Sequence, residues 1–560
     1  MIEGTTSAAD EMPAPGMTVP RQAAAQRTRT GPGRWRWAAA LALAAVALFV
    51  AYLWLSRTVP ANSDSADQAL QAWDMLHGNW LLRGWTVGDV SYYTTEIPEY
   101  VVVEWIRGLG ADTVHVAAAV TYTLLVLLAA LLAKGRATGR EGVVRALIAA
   151  GILLAPQPGE GVHLLILQPD HIGTQVPLLV IFIVLDRAPR RWWVPVAVAV
   201  MLTWVIIADR VAVLDAALPL AAVCGLRALR VLARDRRRLA SMWFEASLVA
   251  AGIVSYAAAA AVVAVIKGHG GYVSLPLPTQ ITPLRYIPAH VTLTVQGIFI
   301  FYGAAFRGLS SGVATAFALV HLAGLALALW AFCRAWRRLF SGDLIVPVLA
   351  AGIVINVAAY VVSIEPASWF DTREIPAVLP FGAVLAGRLL AEPLSRPRWS
   401  RLTQPVLAGL LACYAAALGY GAAQPAVTDS EHPVIGWLEA HHLRYGLGTY
   451  TEANIITLDS GGRVAIRTVT WRASGAVPRA YESKASWYDP KVSYANFVVT
   501  NSADGWPGHK DSLIPLRDIL ALAGHPARTY HYQTFTIMVW NHNLLADLGW
   551  PPASTPGDIP

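Results

Sequence analysis

Apolar stretches of 14 to 22 residues recur along this 560-residue chain, and short arginine-rich joints separate them. About 20 apolar residues in a helix match the roughly 30 Å hydrocarbon layer of a bilayer. Only 14% of the residues are charged, against about 25% in an ordinary soluble domain. The pattern predicts a polytopic α-helical membrane protein and excludes a soluble enzyme.

We predict about 11 transmembrane helices from these apolar stretches. They lie at 37–55, 114–133, 142–155, 172–185, 192–207, 211–226, 246–266, 312–333, 344–364, 375–391 and 403–420. The stretches at 142–155 and 172–185 are shorter than a full crossing usually requires, so they make the count least secure.

The basic residues indicate the orientation of the chain. Lys and Arg cluster before the first span and then in every second joint, within 27–36, 134–145, 187–191, 227–238, 334–338 and 388–401. Such residues accumulate in short cytoplasmic loops. The distribution predicts a cytoplasmic amino terminus and an extracytoplasmic carboxyl terminus. Because the excess positive charge belongs to these joints, it does not indicate a nucleic-acid partner.

The predicted topology divides the chain into three parts. Residues 1–35 lack hydrophobic periodicity, so we expect a disordered cytoplasmic tail there, and we expect 36–420 to form the membrane core with large outer loops at 56–113, 156–171 and 267–311. In 421–560, β-branched runs at 454–458, 463–469, 495–500 and 534–540 alternate with helix-like stretches at 434–442 and 513–523. This alternation predicts a C-terminal extracytoplasmic α/β domain.

An acidic segment directly follows the first span, in the sequence NSDSADQ at 62–68. An ionised carboxylate at the membrane boundary can act as a general base if it lies within hydrogen-bond reach of an acceptor hydroxyl. Asp64 and Asp67 are the candidates. The alternative is structural: Ser63 or Asp64 caps a helix that begins near Ser65, by accepting backbone N–H bonds.

The run GNWLLRGW at 78–85 follows this acidic segment. Together with Asp64, the span before it and the outer carboxyl-terminal domain, it resembles the glycosyltransferase-C superfamily of polyprenyl-phosphate-sugar-dependent membrane enzymes. The resemblance implies an inverting sugar transfer in which the outer-loop acid is the base, here Asp64 with Asp67 second. Many members have an adjacent Asp-Glu pair, whereas Asp67 is followed by Gln68.

The resemblance also implies the partners and the location. The donor would be a polyprenyl-phosphate-linked sugar, and the acceptor a glycan, a lipid or a protein at the outer face of the plasma membrane, within the cell envelope. No cofactor is expected, and a requirement for a divalent metal is the alternative. Glu160, His163, Asp170 and His171 in the second outer loop could ligate a metal, contact donor or acceptor, or only provide interfacial polarity.

Two further charged groups lie at the outer boundary. Asp209 and Arg210 occupy a short turn between spans, where they pair with each other or form a polar wall of the donor pocket. Arg373 lies where the chain re-enters the membrane. A guanidinium can grip phosphate oxygens in two directions, and superfamily members often have a basic residue there, so Arg373 is the candidate for the carrier phosphate. Its alternative is an ion pair with Asp371 or Glu374.

Two other functions are compatible with this layout. A transporter or flippase of a lipid-linked substrate would place functional charges within its spans, whereas most of these spans are uncharged at their centres. A membrane protein that binds cell-wall polymer through its outer domain, with an inactive core, would explain the missing acidic pair.

Overall fold

The computed structural model describes most of the chain. The described residues are 33–167, 171–188, 190–234, 242–276, 280–307, 309, 312–395, 397–427, 432–472, 475–478, 482–501 and 516–548. The chain divides into two compact units, Met1–Val46 and Ala47–Pro560. The core and the C-terminal segment therefore belong to one unit, and all of the contacts below lie within it.

Helices account for most of the described residues up to 427. In chain order they are α1 (Gly33–Ser56), α2 (Ser63–Leu76), α3 (Glu96–Arg107), α4 (Asp112–Lys134), α5 (Gly139–Leu153), α6 (Glu160–Val162), α7 (Ile172–Arg187), α8 (Trp193–Ala208), α9 (Leu218–Arg234), α10 (Trp243–Gly268), α11 (Ile287–Phe301), α12 (Gly312–Ala335), α13 (Ile345–Val362), α14 (Val378–Ser395) and α15 (Pro397–Ala422). Three more lie in the C-terminal segment, namely α16 (His432–Ala440), α17 (Tyr450–Asp459) and α18 (Leu516–Ala523).

The prediction of a polytopic α-helical membrane protein is confirmed. Among the described residues, seven helices are long and apolar enough to cross a membrane, or eight if the bent pair Glu160–Leu167 and Ile172–Arg187 forms one span. Each of the 11 predicted stretches overlaps a helix, although 142–155 and 375–391 extend beyond α5 and α14, and α5, α7 and α8 have only 15 or 16 residues. The count of 11 crossings is therefore not confirmed.

The first outer loop contains two helices, α2 and α3. The side chain of Asn62 caps α2 by accepting a 2.8 Å hydrogen bond from the backbone N–H of Ser65. The predicted cap at Ser63 or Asp64 is therefore wrong, because the helix begins at Ser63 and its cap lies one residue earlier. As a consequence, capping does not occupy the Asp64 carboxylate.

The C-terminal segment contains the predicted α/β domain. The strands of its sheet are β3 (Tyr445–Gly448), β4 (Ala465–Arg472), β5 (Gly475–Pro478), β7 (Phe497–Asn501), β8 (Arg528–Tyr532) and β9 (Phe535–Val539). A separate three-stranded sheet consists of β1 (Trp85–Val87), β2 (Val273–Ser274) and β6 (Ser483–Lys484). The six-stranded sheet has the order β5-β4-β3-β7-β9-β8. Strand β3 is parallel to both β4 and β7, and the remaining pairs are antiparallel.

One element of this domain differs from its prediction. The β-branched run at 454–458, predicted as a strand, lies in helix α17. Ile455 and Leu458 pack into the main core, whereas Ala453 and Ile456 pack against the sheet. Residues three apart share one face of a helix. Because two different layers cover its two faces, α17 is apolar on both, which hides its helical period in the sequence.

Candidate active site

A small polar cavity lies where several helices end at one side of the bundle, called the site end below. The cavity measures about 60 Å³, and Asp64, Asp67, His171, Arg373 and Glu374 are among the residues that line it. Helix α2 supplies the two aspartates, His171 precedes α7, and the 3₁₀ turn Phe370–Glu374 after α13 supplies the arginine and the glutamate. Four predicted site residues therefore meet in one cavity.

The Asp64 carboxylate is reached by two donors. Nη1 of Arg373 lies 3.2 Å from its Oδ2, although the two residues are 309 positions apart in the chain. Tyr450 is the first residue of α17, and its hydroxyl donates a 2.6 Å hydrogen bond to Oδ1 of Asp64. The Asp64 side chain is still 31% exposed, so a substrate can reach it.

Asp67 has a different environment one turn further along α2. It is buried with 2% of its surface exposed, and its Oδ2 accepts a 2.5 Å hydrogen bond from Nε2 of Gln71. A carboxylate that takes a proton from a substrate must be within hydrogen-bond reach of it. Asp64 meets this condition better than Asp67.

Arg373 is oriented by contacts on two sides. Its guanidinium lies over the ring of Phe370, 4.8 Å from the ring centroid, and its Nε lies 3.9 Å from Glu374. Asp371 instead accepts hydrogen bonds from the backbone N–H groups of Ala367 and Ser368. The sequence left Asp371 or Glu374 as the ion-pair partner of Arg373. Glu374 is the nearer of these, but it lies further from the guanidinium than Asp64 does.

His171 lies between two carboxylates. Its Nδ1 is 2.8 Å from Asp209 and its Nε2 is 3.0 Å from Glu374. A carboxylate only accepts, so both ring nitrogens donate and the ring is an imidazolium. Burial by itself would raise the pKa of Glu374, but the charge and hydrogen bond of His171, together with Arg373, hold that pKa below its usual value. This chain of charges fixes the turn that carries Arg373.

The expected local pairing of Asp209 with Arg210 is replaced by other contacts. Asp209 is buried and also accepts hydrogen bonds from the Thr174 hydroxyl at 2.6 Å and from the backbone N–H of Val211 at 2.8 Å. Arg210 is exposed and lines a second cavity. Asp209 therefore contacts His171 in the first cavity, whereas Arg210 lines the second cavity.

The second outer loop is only partly described. His163 lies beside Phe370 with 5.3 Å between ring centroids, which places it next to Arg373 but outside the cavity lining. Asp170 lies outside the described residues. No group of three or more His, Cys, Asp or Glu side chains that could hold a metal ion occurs among the residues with a described position.

The second cavity, of about 280 Å³, adjoins the first. Asp89 and Ser91 line both. Arg210 and Lys267 contribute positive charge to its lining, and Ala260 and other small apolar residues of α10 contribute apolar surface. A groove lined by both basic and apolar side chains suits an amphiphile with a negatively charged head.

The sequence interpretation missed two contributors to this region. Tyr450 carries no signal of its role, because its contact with Asp64 depends on how the C-terminal domain docks. Lys267 directly follows the predicted span 246–266, so its place at a membrane boundary could be predicted, but the cavity that it shares with Arg210 could not. Both depend on the packing of segments that are distant in the chain.

Fold and site together define a multi-pass membrane protein with an acid- and arginine-lined cavity at the ends of its helices. No protein-family model and no curated protein matches the chain. It is similar to the solved structure of ArnT from Cupriavidus metallidurans bound to undecaprenyl phosphate, at 13% identity and a TM-score of 0.47, over 90% of this chain and 98% of that one.

A second similar structure is the Archaeoglobus fulgidus oligosaccharyltransferase in complex with zinc and sulfate. Its identity is 13% and its TM-score 0.44, and the match covers 79% of this chain and 64% of the oligosaccharyltransferase, which is less than two thirds of its length. Each match is a likeness to a solved structure at 13% identity. At this identity it assigns neither a substrate nor a residue role.

Proposed function

We propose that the protein is a membrane glycosyltransferase. It moves a sugar from a polyprenyl-phosphate carrier to a glycan, lipid or protein acceptor on the extracytoplasmic side, with inversion at the sugar carbon. The observation that carries this proposal is the contact between Asp64 and Arg373, 3.2 Å apart in the polar cavity. A transfer between phosphate and hydroxyl uses both a base and a cation, and these two side chains supply them.

The proposed reaction is a single displacement. Asp64 takes the proton of the acceptor hydroxyl, the acceptor oxygen forms a bond to C1 of the sugar, and the bond between C1 and the phosphate oxygen breaks. The electron pair stays on the departing phosphate, where Arg373 offsets the developing negative charge. Because the nucleophile and the leaving group lie on opposite faces of C1, the anomeric configuration inverts.

The proposal assigns different roles to the other site residues. Tyr450 positions Asp64 by donating to its Oδ1, and Asp67, through Gln71, supports the same turn of α2. His171 positions the Arg373 turn through Glu374 and is itself anchored by Asp209. His163, beside Phe370, and Asp170 remain candidate donor or acceptor contacts.

The adjoining groove supports a lipid-linked donor. Its wall of small residues on α10 offers an apolar surface to an isoprenoid chain, and Arg210 and Lys267 supply positive charge where a phosphate would enter. The arriving phosphate competes with Asp64 for the guanidinium of Arg373, which would free the Asp64 carboxylate for the acceptor. Nothing in this mechanism requires a metal, although a divalent ion bound with the donor phosphate stays compatible with it.

The test of the proposal is the substitution Asp64→Asn. Asn preserves the shape of the side chain and an acceptor for Tyr450 but cannot take a proton, so we expect the rate of sugar transfer to fall by about 100-fold or more. Purified protein in nanodiscs would be incubated with the lipid-linked sugars of its source membranes, and the product measured by mass spectrometry. NMR of the product would reveal the anomeric configuration.

Asp112→Asn is the matched control. Asp112 is as exposed as Asp64, with 32% of its side chain accessible, and also contacts an arginine, Arg57, at 2.6 Å, but it lines neither cavity. We expect this variant to keep its transfer activity. Full activity in Asp64→Asn would remove Asp64 as the base, and Asp67→Asn would then be the variant to test.

A further inference from the structure

A larger cavity lies at the opposite end of the bundle. It measures about 750 Å³, and Ile345 at the start of α13 is part of its wall. Helix α13 has 18 residues and ends at Val362, just before the turn that carries Arg373. An α-helix rises 1.5 Å per residue, so about 27 Å separate this cavity from the site end. It is a separate cavity, and the proposed sugar transfer makes no use of it.

The wall of this cavity is strongly basic. Seven arginines and four carboxylates line it. Three of the arginines take up all four carboxylates, in the ion pairs Arg145–Glu141 at 2.6 Å, Arg190–Glu245 at 2.8 Å, Arg388–Asp186 at 2.9 Å and Arg388–Asp343 at 3.5 Å. The excess positive charge therefore lies on the other four arginines.

These four arginines are Arg136, Arg227, Arg230 and Arg234, and the ion pairs of the described residues include none of them. Arg227 donates to the backbone carbonyls of Leu339 and Asp343, and Arg136 donates to the carbonyl of Asp186. These contacts orient the guanidinium groups without neutralising their charge.

Arg230 shows the same arrangement with an aromatic partner. Its guanidinium lies 4.0 Å from the centroid of the Phe340 ring, a geometry that holds the cation in place and leaves its charge intact. Arginines that only orient the chain in the membrane need no common cavity. Here they converge from the C-terminal half of α9 and the joint after α4 on one concave space.

We propose that this cavity binds an anionic phosphate group, either in a phospholipid head group of the adjoining leaflet or as a free phosphate anion. Basic pockets between transmembrane helices on the cytoplasmic side are typical sites for anionic head groups. Arginine suits phosphate oxygens because its fork of N–H donors can form two bonds at once. The site and the proposed sugar transfer are independent of each other.

The test compares two double variants of the full-length protein that lose the same charge. Arg230→Gln with Arg234→Gln removes two arginines of the cavity. The control, Arg334→Gln with Arg337→Gln, removes two exposed arginines at the end of α12 and in the following turn, and neither lines the cavity. The protein is titrated in phosphatidylcholine-containing micelles with phosphatidylglycerol, and separately with inorganic phosphate at ionic strength held constant with sodium chloride.

The readout is the concentration of each probe that gives half of the maximal rise in Tm. We expect the cavity variant to need at least about tenfold more of each probe, because it loses two of the basic side chains that attract the phosphate group, and the control to stay within about twofold of the wild type. A response to phosphate identifies the phosphate group as sufficient. A response to phosphatidylglycerol alone identifies the head group.

Two results would overturn the proposal. One is equal weakening in both double variants, because binding would then follow net charge and not the cavity. The other is a wild type that neither probe stabilises. Native mass spectrometry of the wild type gives a readout that needs no variant: it should retain phosphatidylglycerol in preference to phosphatidylcholine, and equal retention would also contradict the site.

Discussion

At the scale of single residues, burial separates two aspartates that look alike in the sequence. Asp64 and Asp67 lie one turn apart on α2, but the first is 31% exposed on its side chain and the second is buried. Asp64 receives a donor from each of two remote segments, at Arg373 and Tyr450. A carboxylate that is oriented from both sides and still accessible is the better candidate for a base.

Arg373 allows a prediction that separates phosphate binding from charge neutralisation. Arg373→Lys keeps the charge but loses the two-pronged geometry, so we expect the KM for the donor to rise about tenfold. Arg373→Ala should lower kcat/KM about 100-fold or more. Initial rates at rising donor concentration measure both. If the arginine only neutralised Glu374, the double variant Arg373→Ala with Glu374→Gln would recover activity, and such recovery would contradict the phosphate role.

Glu104 on α3 provides a pH-dependent prediction outside the site. Its carboxyl is buried, neither oxygen has a hydrogen-bond partner among the described residues, and burial raises its pKa from 4.5 to about 9. The folded protein thus keeps a proton that the unfolded chain releases above pH 4.5. The resulting stability is lost as the pH rises from about 4.5 towards 9.

The substitution Glu104→Gln removes this titration. We expect it to raise Tm at pH 8 by several degrees, which corresponds to on the order of 2 kcal/mol. The difference from the wild type should shrink as the pH is lowered to 5. Thermal unfolding of the full-length protein in detergent across this range measures it. A difference that stays constant with pH would show that Glu104 does not titrate as its burial predicts.

At the scale of elements, α2 connects the core to the C-terminal domain. The backbone carbonyls of Tyr450 and Thr451 accept from the Ser63 hydroxyl at its start. At its other end, Asp74 accepts from the indole N–H of Trp85 at 2.7 Å and from Lys484 at 2.8 Å. Strand β1 pairs with β6 beside this contact. The domain is therefore attached at both ends of α2.

Asp74→Asn tests this attachment. The substitution removes the charge that faces Lys484 in a partly buried setting, and we expect a loss of about 1–3 kcal/mol of stability. Tm of the full-length protein would fall by several degrees. Glu439→Gln is the control, because it breaks the ion pair of an exposed Arg463 and such pairs contribute little. Equal Tm values for the two variants would argue against α2 as the attachment.

At the scale of the whole molecule, the basic joints make the sidedness of the chain testable. Because Lys and Arg accumulate in cytoplasmic loops, a reporter fused after Gly421 should read extracytoplasmic, and one fused after Arg234 should read cytoplasmic. Alkaline phosphatase activity in cells measures the first, and green fluorescence the second. If both fusions read the same side, the number of crossings between Arg234 and Gly421 is even and not the odd number predicted, and the proposed outer location of Asp64 needs revision.

The sequence by itself determined the class of fold and the positions of the predicted apolar helices, but not those of α11 and α17. Span length and apolar composition depend on local chemistry, which is why each predicted stretch overlaps a helix. For the same reason, β4, β7 and β9 coincide with β-branched runs in the sequence. The acidic segment after α1 and the arginine before α14 could also be predicted as site residues from the sequence, because charges at the ends of apolar helices are costly without a partner or a function.

Only the tertiary structure decided which of these charges meet. The pairing of Asp64 with Arg373 and the approach of Tyr450 depend on contacts across more than 300 residues, and no periodicity encodes such separations. The same reason explains the strand predicted at 454–458: local propensity favoured a strand, but packing on two faces selected α17. Burial, which ranks Asp64 above Asp67, likewise exists only once the helices have packed.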